Sequence, residues 1–308
     1  MVQDKACFGD IQQLDVNPKD VFGKYESVDG LLSTVNSGSL YQKAYRNMIS
    51  NHSKDFLMPI IMACDETKLS NAGSKTACWP LMFTTSILNQ GLRNLPMAWR
   101  PLGYIFDLSI IESKHEANRQ SKDEKYTRIH SIFDVILKTF IDAQQEGALD
   151  DIPLTLGNQT KTVNLKIPLF FIIGDMQGGD KLCCVSPTYS NRVNRLCRKC
   201  NIQGKESGNP LATCKRMSMI KIKQLVRDGK TKTLKKYNQC NVDTPWFRVN
   251  YGGCQFGIFS AASPVEPLHA LEIGLISIYR PYLGIYVSLV VQISKFLVLS
   301  TNFCKNIY

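Results

Sequence analysis

The sequence carries no mark of an exported chain. Met1-Val-Gln-Asp-Lys5 has no basic region leading into an apolar one, which argues against a secretory signal. In a reducing compartment the eleven cysteines are expected as thiols or metal ligands, not as a disulfide framework. A clean membrane-length apolar run is also missing. The nearest approach, Tyr282 to Phe303, is interrupted by Gln292 and Lys295, and a lysine in mid-bilayer is costly, so no membrane partner is expected. Cysteines at tight ligand spacing are scarce, with the single pair Cys197-Arg-Lys-Cys200. No strong basic import cluster stands out.

What is present is ordinary globular material. The 308 residues suffice for one large domain or two ordinary ones, and 44% hydrophobic with 20% charged residues can build a core without cross-links. The net charge of +11 bears on partners rather than fold, and a basic surface of this size suits nucleic acid.

Two stretches share one design. Leu169-Phe-Phe-Ile-Ile-Gly-Asp175 and Leu57-Met-Pro-Ile-Ile-Met-Ala-Cys-Asp65 each run an apolar strand into a carboxylate. Residues 1–54 read as a lead-in segment with a short amphipathic helix over Leu40 to Ile49. Phe56 to Cys64, Trp79 to Leu88 and Leu95 to Phe106 are expected as strands, and Glu112 to Lys125 as an exposed loop. Tyr126 to Gln145 is the clearest helix, with apolar residues at three- and four-residue steps and Gly147 as its stop. Thr160 to Ile173 then reads as one strand, buried on both faces at its end. Three strands, a helix and a fourth strand, with acids at the ends of the first and fourth, predict an α/β fold with an RNase H-like mixed sheet and flanking helices. Residues 55–184 form the first part of that core. Residues 185–265 are a basic, cysteine-containing insertion, helical over Met217 to Tyr237, and 266–308 are a helical segment over Pro267 to Ile276.

Asp65 and Asp175, brought to neighbouring strand ends, would hold Mg²⁺ or Mn²⁺ for phosphoryl transfer, because such ions take oxygen ligands and clamp the attacking and leaving oxygens. The bland alternative is that each Asp merely opens a turn. Cys197 and Cys200 form half of a tetrahedral Zn²⁺ site, and Arg195, Arg198 and Lys199 are expected to lower their pKa. His269 is the candidate third ligand and Cys183 or Cys184 the fourth, with Cys214, Cys240 and Cys254 as substitutes. The basic run from Lys215 to Lys236, with Tyr237 and Trp246 beyond it, is either a phosphate-facing surface or a solvated charged face.

These blocks carry a resemblance. Asp65-Glu-Thr-Lys-Leu-Ser70 with Trp79-Pro-Leu-Met-Phe83, then Ile172-Ile-Gly-Asp175-Met-Gln-Gly-Gly-Asp-Lys-Leu-Cys183, Arg195-Leu-Cys-Arg-Lys-Cys200 and Pro267-Leu-His-Ala-Leu-Glu-Ile-Gly274, resemble in order and spacing the eukaryotic cut-and-paste transposases of CACTA and Plavaka type, related to the Kyakuja-Dileera-Zisupton elements. The resemblance spans about residues 55–280. It implies an RNase H-like DDE core that uses divalent metal to cleave DNA at transposon ends and join the 3′ hydroxyl to a target. Asp65 and Asp175 match the first two acids, Cys197 and Cys200 the knuckle, and Glu266 with His269 the later acid-x-x-His pair. The family's third acid lies on a helix beyond the insertion. Glu272 is the one acid on a nearby helix and stands too close to His269, so the expectation is a C-terminally truncated, inactive copy. The alternatives are a non-catalytic zinc-stabilised DNA-binding protein and another RNase H-like nuclease. DNA is the expected partner, a homo-oligomer is admitted, and nuclear residence follows from the DNA.

Overall fold

The computed structural model describes residues 5–10, 14–15, 35–68, 77–106, 121–186, 197–206, 209 and 211–262. Their elements, in chain order, are α1 (Lys5–Phe8), α2 (Ser39–Met48), β1 (Asp55–Leu57), β2 (Ile60–Cys64), β3 (Thr67–Lys68), β4 (Ala77–Thr85), α3 (Gln90–Arg93), β5 (Arg100–Phe106), α4 (Lys122–Ala143), β6 (Ile152–Leu156), β7 (Gln159–Lys166), β8 (Leu169–Ile173), α5 (Met176–Leu182), α6 (Met219–Arg227), α7 (Thr231–Lys236) and α8 (Ile258–Ala261).

β2 is the middle of the larger sheet. It pairs antiparallel with β4 on one side and parallel with β8 on the other. β5 takes the far side of β4, also antiparallel. β3 continues the line of β2 along β4 in unchanged register, with Thr67 opposite Cys78. The ladder lapses between β2 and β3 at Asp65 and Glu66, where Pro80 brings no N–H to the sheet. In this sheet the antiparallel strands β2, β4 and β5 precede α4, and β8, which follows the helix after the β6–β7 hairpin of the other sheet, returns parallel to β2.

Prolines correct two expected strands. The run from Phe56 to Cys64 is split at Met58-Pro59 and the run from Thr160 to Ile173 at Ile167-Pro168. β1 and β7 pair in a second sheet, of order β1-β7-β6, before β2 and β8 pair in the first. Leu57 lies opposite Lys166 and Ile60 opposite Leu169, so Pro59 and Pro168 stand at matching positions and the two runs change sheet together. The N–H groups of Met58 and Ile60 keep the pair bonded through the break, donating to the carbonyls of Lys166 and Pro168 at 2.8 Å each. The β6–β7 hairpin was not expected. Its two-residue loop is Gly157-Asn158, with Gly157 at φ 58°, the left-handed conformation that tight hairpin turns require.

α4 begins at Lys122, inside the stretch expected as loop, because Ser121 and Glu124 form a capping box that satisfies donors at the helix start. Residues 112–120 of that stretch lie outside the described residues. Tyr126, His130, Phe133, Leu137 and Phe140 make its buried stripe. Its Ile136 lies over Gly103 of β5, where an added Cβ would come within 2.9 Å of the isoleucine side chain. The helix expected over Met217 to Tyr237 is two, α6 and α7, parted at Asp228-Gly229 with Gly229 at φ 61°. Trp246, Phe247, Tyr251, Ile258 and Phe259 pack into the same core as β2, β8 and α4. Among the described residues no helix is long and apolar enough to cross a membrane, and Tyr282 to Phe303 lie outside them.

Candidate active site

The level at which the two acids stand depends on a β-bulge. β2 and β8 start in step, Ile60 opposite Leu169, and then slip by one, so that Ile61 faces Phe171 and Ala63 faces Ile173. Phe170 is the residue left over. Two residues beyond the last pair stand Asp65 and Asp175, at the same end of adjacent parallel strands. Without the bulge Asp65 would be level with Gly174. Phe170 is 1% exposed, with its ring edge-on to Tyr41 of α2 at 6.4 Å between centroids.

Gly174, just before the acid, brings β8 against its neighbour. A Cβ there would lie 2.4 Å from the Cys64 carbonyl oxygen. Gly174→Ala must push the two strand ends apart and is expected to cost about 1–3 kcal/mol. Urea unfolding checks this, and an unchanged midpoint would mean that the strands part freely.

Asp175 is also the N-cap of α5, its Oδ1 accepting the Gly178 N–H. The turn-opening role that sequence alone allowed is therefore real, and it fixes one oxygen of the carboxylate. Asp65 is exposed and accepts the N–H of Glu66 at 2.9 Å. Burial, then the Asp65 charge, pushes the Cys64 thiol up to about 12, with Asp175 adding to the rise and Lys181 opposing it.

The cleft beside Asp175 is lined by Cys64, Glu66, Trp79, Gln177, Gly178 and Lys181, over a floor from α4. Trp79 Nε1 donates to Glu66 Oε2 at 3.2 Å, and Lys181 Nζ sits 3.9 Å from the centre of the Trp79 ring. Glu66, Gln177 and Lys181 were missed at the sequence level. Glu66 shares the Cys64 face of the strand two residues on, a signal that was available; Lys181 is placed by the turn of α5 and had none.

The thiol pair sits in a small bridge rather than a free loop. Cys200 pairs antiparallel with Arg216, the Met217 N–H donates to the Lys199 carbonyl at 2.7 Å, and that of Asn201 to the Lys215 carbonyl at 2.9 Å. Both thiols are half-buried. The expected lowering of their pKa is corrected for Cys197: burial pushes it up, although the Lys199 N–H donates to its Sγ at 3.3 Å. Arg198 turns away from the thiols and pairs with Asp180 at 3.2 Å. Arg195 lies outside the described residues.

The other proposed ligands are dispersed. Cys183 is fully buried, its thiol donating to the Ile258 carbonyl at 3.8 Å, and burial raises it to about 12. Cys184 and Cys240 are neighbours across the Val185–Gln239 bridge, and the Cys240 N–H donates to the Cys184 carbonyl at 2.9 Å. Cys184 Sγ is 3.0 Å from His130 Nε2. Cys214 is exposed and Cys254 half-buried. His269, Glu266 and Glu272 lie outside the described residues. Among the described residues no group of three or more His, Cys, Asp or Glu is arranged to hold a metal ion.

The basic run divides by exposure. Lys221, Arg227, Lys230, Lys232, Lys235 and Lys236 are exposed on α6, α7 and the turn between them, and Lys221 Nζ donates to the Tyr237 hydroxyl at 2.7 Å. Trp246, expected near that surface, is 0% exposed and belongs to the core.

These features define a mixed α/β protein with two acids at one sheet end and a thiol knuckle joined to the helix that the second acid caps. The family model described as Plavaka transposase matches residues 8–276, and the chain belongs to that family. No curated protein matches the chain.

Proposed function

We propose that this is a transposase-derived protein with an RNase H-like core, whose ancestral activity is metal-dependent cleavage and transfer of DNA strands. The observation that carries the reading is the alignment of Asp65 and Asp175 at the ends of adjacent parallel strands, in a sheet where three antiparallel strands are followed by a crossover helix and a parallel fourth. Their oxygen donors suit Mg²⁺ or Mn²⁺. When bound, such ions stabilise charge on the attacking and leaving oxygens of a phosphodiester. The chain's own part is to level the two carboxylates through the Phe170 bulge, to aim Asp175 through its cap on Gly178, and to offer Lys181 to phosphate in the cleft. Cys197 and Cys200 supply two of the four soft ligands that structural Zn²⁺ takes, and His269 is the proposed third. A DNA partner implies nuclear residence.

A second reading, a non-catalytic zinc-stabilised DNA-binding protein, is favoured by the exposed lysines of α6 and α7. Supercoiled plasmid with Mn²⁺ separates the two. Nicking by the wild type that Asp175→Ala abolishes supports the cleavage reading. DNA binding without nicking, weakened by chelation of zinc, supports the other.

A further inference from the structure

Arg198 stands between the two knuckle thiols in sequence, yet its side chain leaves them for the core. Nη1 donates to Asp180 Oδ1 at 3.2 Å and Nε to the Ala262 carbonyl at 2.9 Å. The guanidinium lies over Gly179, where an added Cβ would come within 2.6 Å of Cζ. The pair is buried, with 1% of the Asp180 side chain exposed and 13% of Arg198. Gly179 and Asp180 belong to α5, whose first turn is closed by Asp175: Gly178 N–H donates to its side chain, and Gly179 N–H to its carbonyl at 3.0 Å.

We propose that Arg198 and Asp180 are a positioning pair that locks the thiol knuckle onto α5 and thereby fixes the direction of the Asp175 carboxylate. A helix of seven residues is too short to persist through its own hydrogen bonds, so its order comes from what packs on it. A buried ion pair is a poor source of stability compared with apolar side chains of similar volume, but its geometry is directional. The missing side chain at Gly179 is what lets the guanidinium reach the helix. The lock makes the knuckle and the second acid one mechanical unit: a change at the thiols is felt at Asp175. Its meaning for catalysis rests on the reading under Proposed function; the lock itself does not.

The test is the double variant Arg198→Met/Asp180→Leu, which removes both charges without stranding either in the core. Its urea midpoint is expected near that of the wild type, while amide hydrogen exchange at Gly178 and Gly179 quickens by about tenfold or more and that of β2 and β4 holds. Where the wild type nicks DNA with Mn²⁺, the double variant is expected to nick about tenfold more slowly with unchanged DNA affinity, the split that marks lost positioning rather than lost binding. Unchanged exchange at Gly178 in the folded double variant overturns the proposal. Should the double variant fail to fold, Gly179→Ala lifts the guanidinium from the helix: faster exchange of the Gly178 amide then supports the lock, and unchanged exchange overturns it. Quickened exchange in a protein whose wild type never nicks DNA leaves the lock standing and removes the cleavage reading. Nicking by the wild type with exchange unmoved does the reverse.

Discussion

Trp246→Ala is expected to destabilise the protein by about 4 kcal/mol, the range for emptying an aromatic site in a packed core. The ring is fully buried and meets Phe133 of α4 edge-on, with centroids 5.3 Å apart and planes at 62°. Its backbone is tied on both sides: the N–H donates to Thr244 Oγ1 at 3.3 Å, and the carbonyl accepts the Tyr251 hydroxyl at 2.9 Å. Truncation cannot be absorbed by collapse, because these bonds hold the surrounding turn. Nε1 is buried without a hydrogen-bond partner among the described residues. Trp246→Phe removes that unmet donor while keeping most of the ring, and should cost clearly less than the alanine variant. Urea unfolding followed by circular dichroism measures both. An alanine variant that unfolds at the wild-type midpoint but binds DNA poorly would return Trp246 to the basic surface where its sequence position suggested it belonged.

The second large effect is a pH dependence set by His130. Burial holds this imidazole down to about 4 from the ordinary 6.5, although a bond to the Lys181 carbonyl works the other way. The ring is fully engaged: Nε2 is 3.0 Å from the Lys181 carbonyl and Nδ1 2.8 Å from Thr244 Oγ1. A neutral ring meets these partners as donor at Nε2 and acceptor at Nδ1. The folded state therefore prefers the neutral form, and the unfolded chain binds the proton more readily. The stabilisation is complete above pH 6.5 and is lost as pH falls towards 4, amounting to about 3 kcal/mol across that window. Unfolding free energy measured by urea at intervals from pH 7.5 to 4.5 should fall accordingly. His130→Gln should be weaker at neutral pH and lack this slope between pH 6.5 and 5, above the range where carboxylates dominate. A wild-type profile flat over that interval would refute the assignment.

Much of the larger sheet was legible because its strands are apolar runs with clear ends, and α4 because its stripe repeats at helical spacing. The prolines were legible too, but their meaning was not. Pro59 and Pro168 look like isolated irregularities until the two runs are seen side by side, since only the pairing shows that they sit at one level. The Gly157-Asn158 turn was a local signal passed over, because the strands flanking it are short and polar on one side. At the candidate site, Asp65 and Asp175 could be named from their strands, yet their levelling could not, since nothing local in Leu169-Phe-Phe-Ile-Ile173 tells which residue will be skipped. Arg198 was misjudged for a related reason. Sequence proximity to two thiols suggested an electrostatic role there, while tertiary packing sends the guanidinium to a buried carboxylate eighteen positions back.

Phe170 ties the lead-in segment to the level at which Asp65 and Asp175 stand. Its ring is buried in one cluster with Tyr41 and Ala44 of α2, together with Ile49 and Leu57. A boundary drawn at residue 54 would discard most of that clasp while sparing every acid and thiol. With that packing gone, Phe170 is expected to take up pairing with β2, shifting the rest of β8 by one step, and a one-step slip turns side chains to the opposite face. The phase between residues 65 and 175 is thus stored some twenty residues ahead of the first of them, and a core trimmed to its strands would carry both carboxylates out of tune.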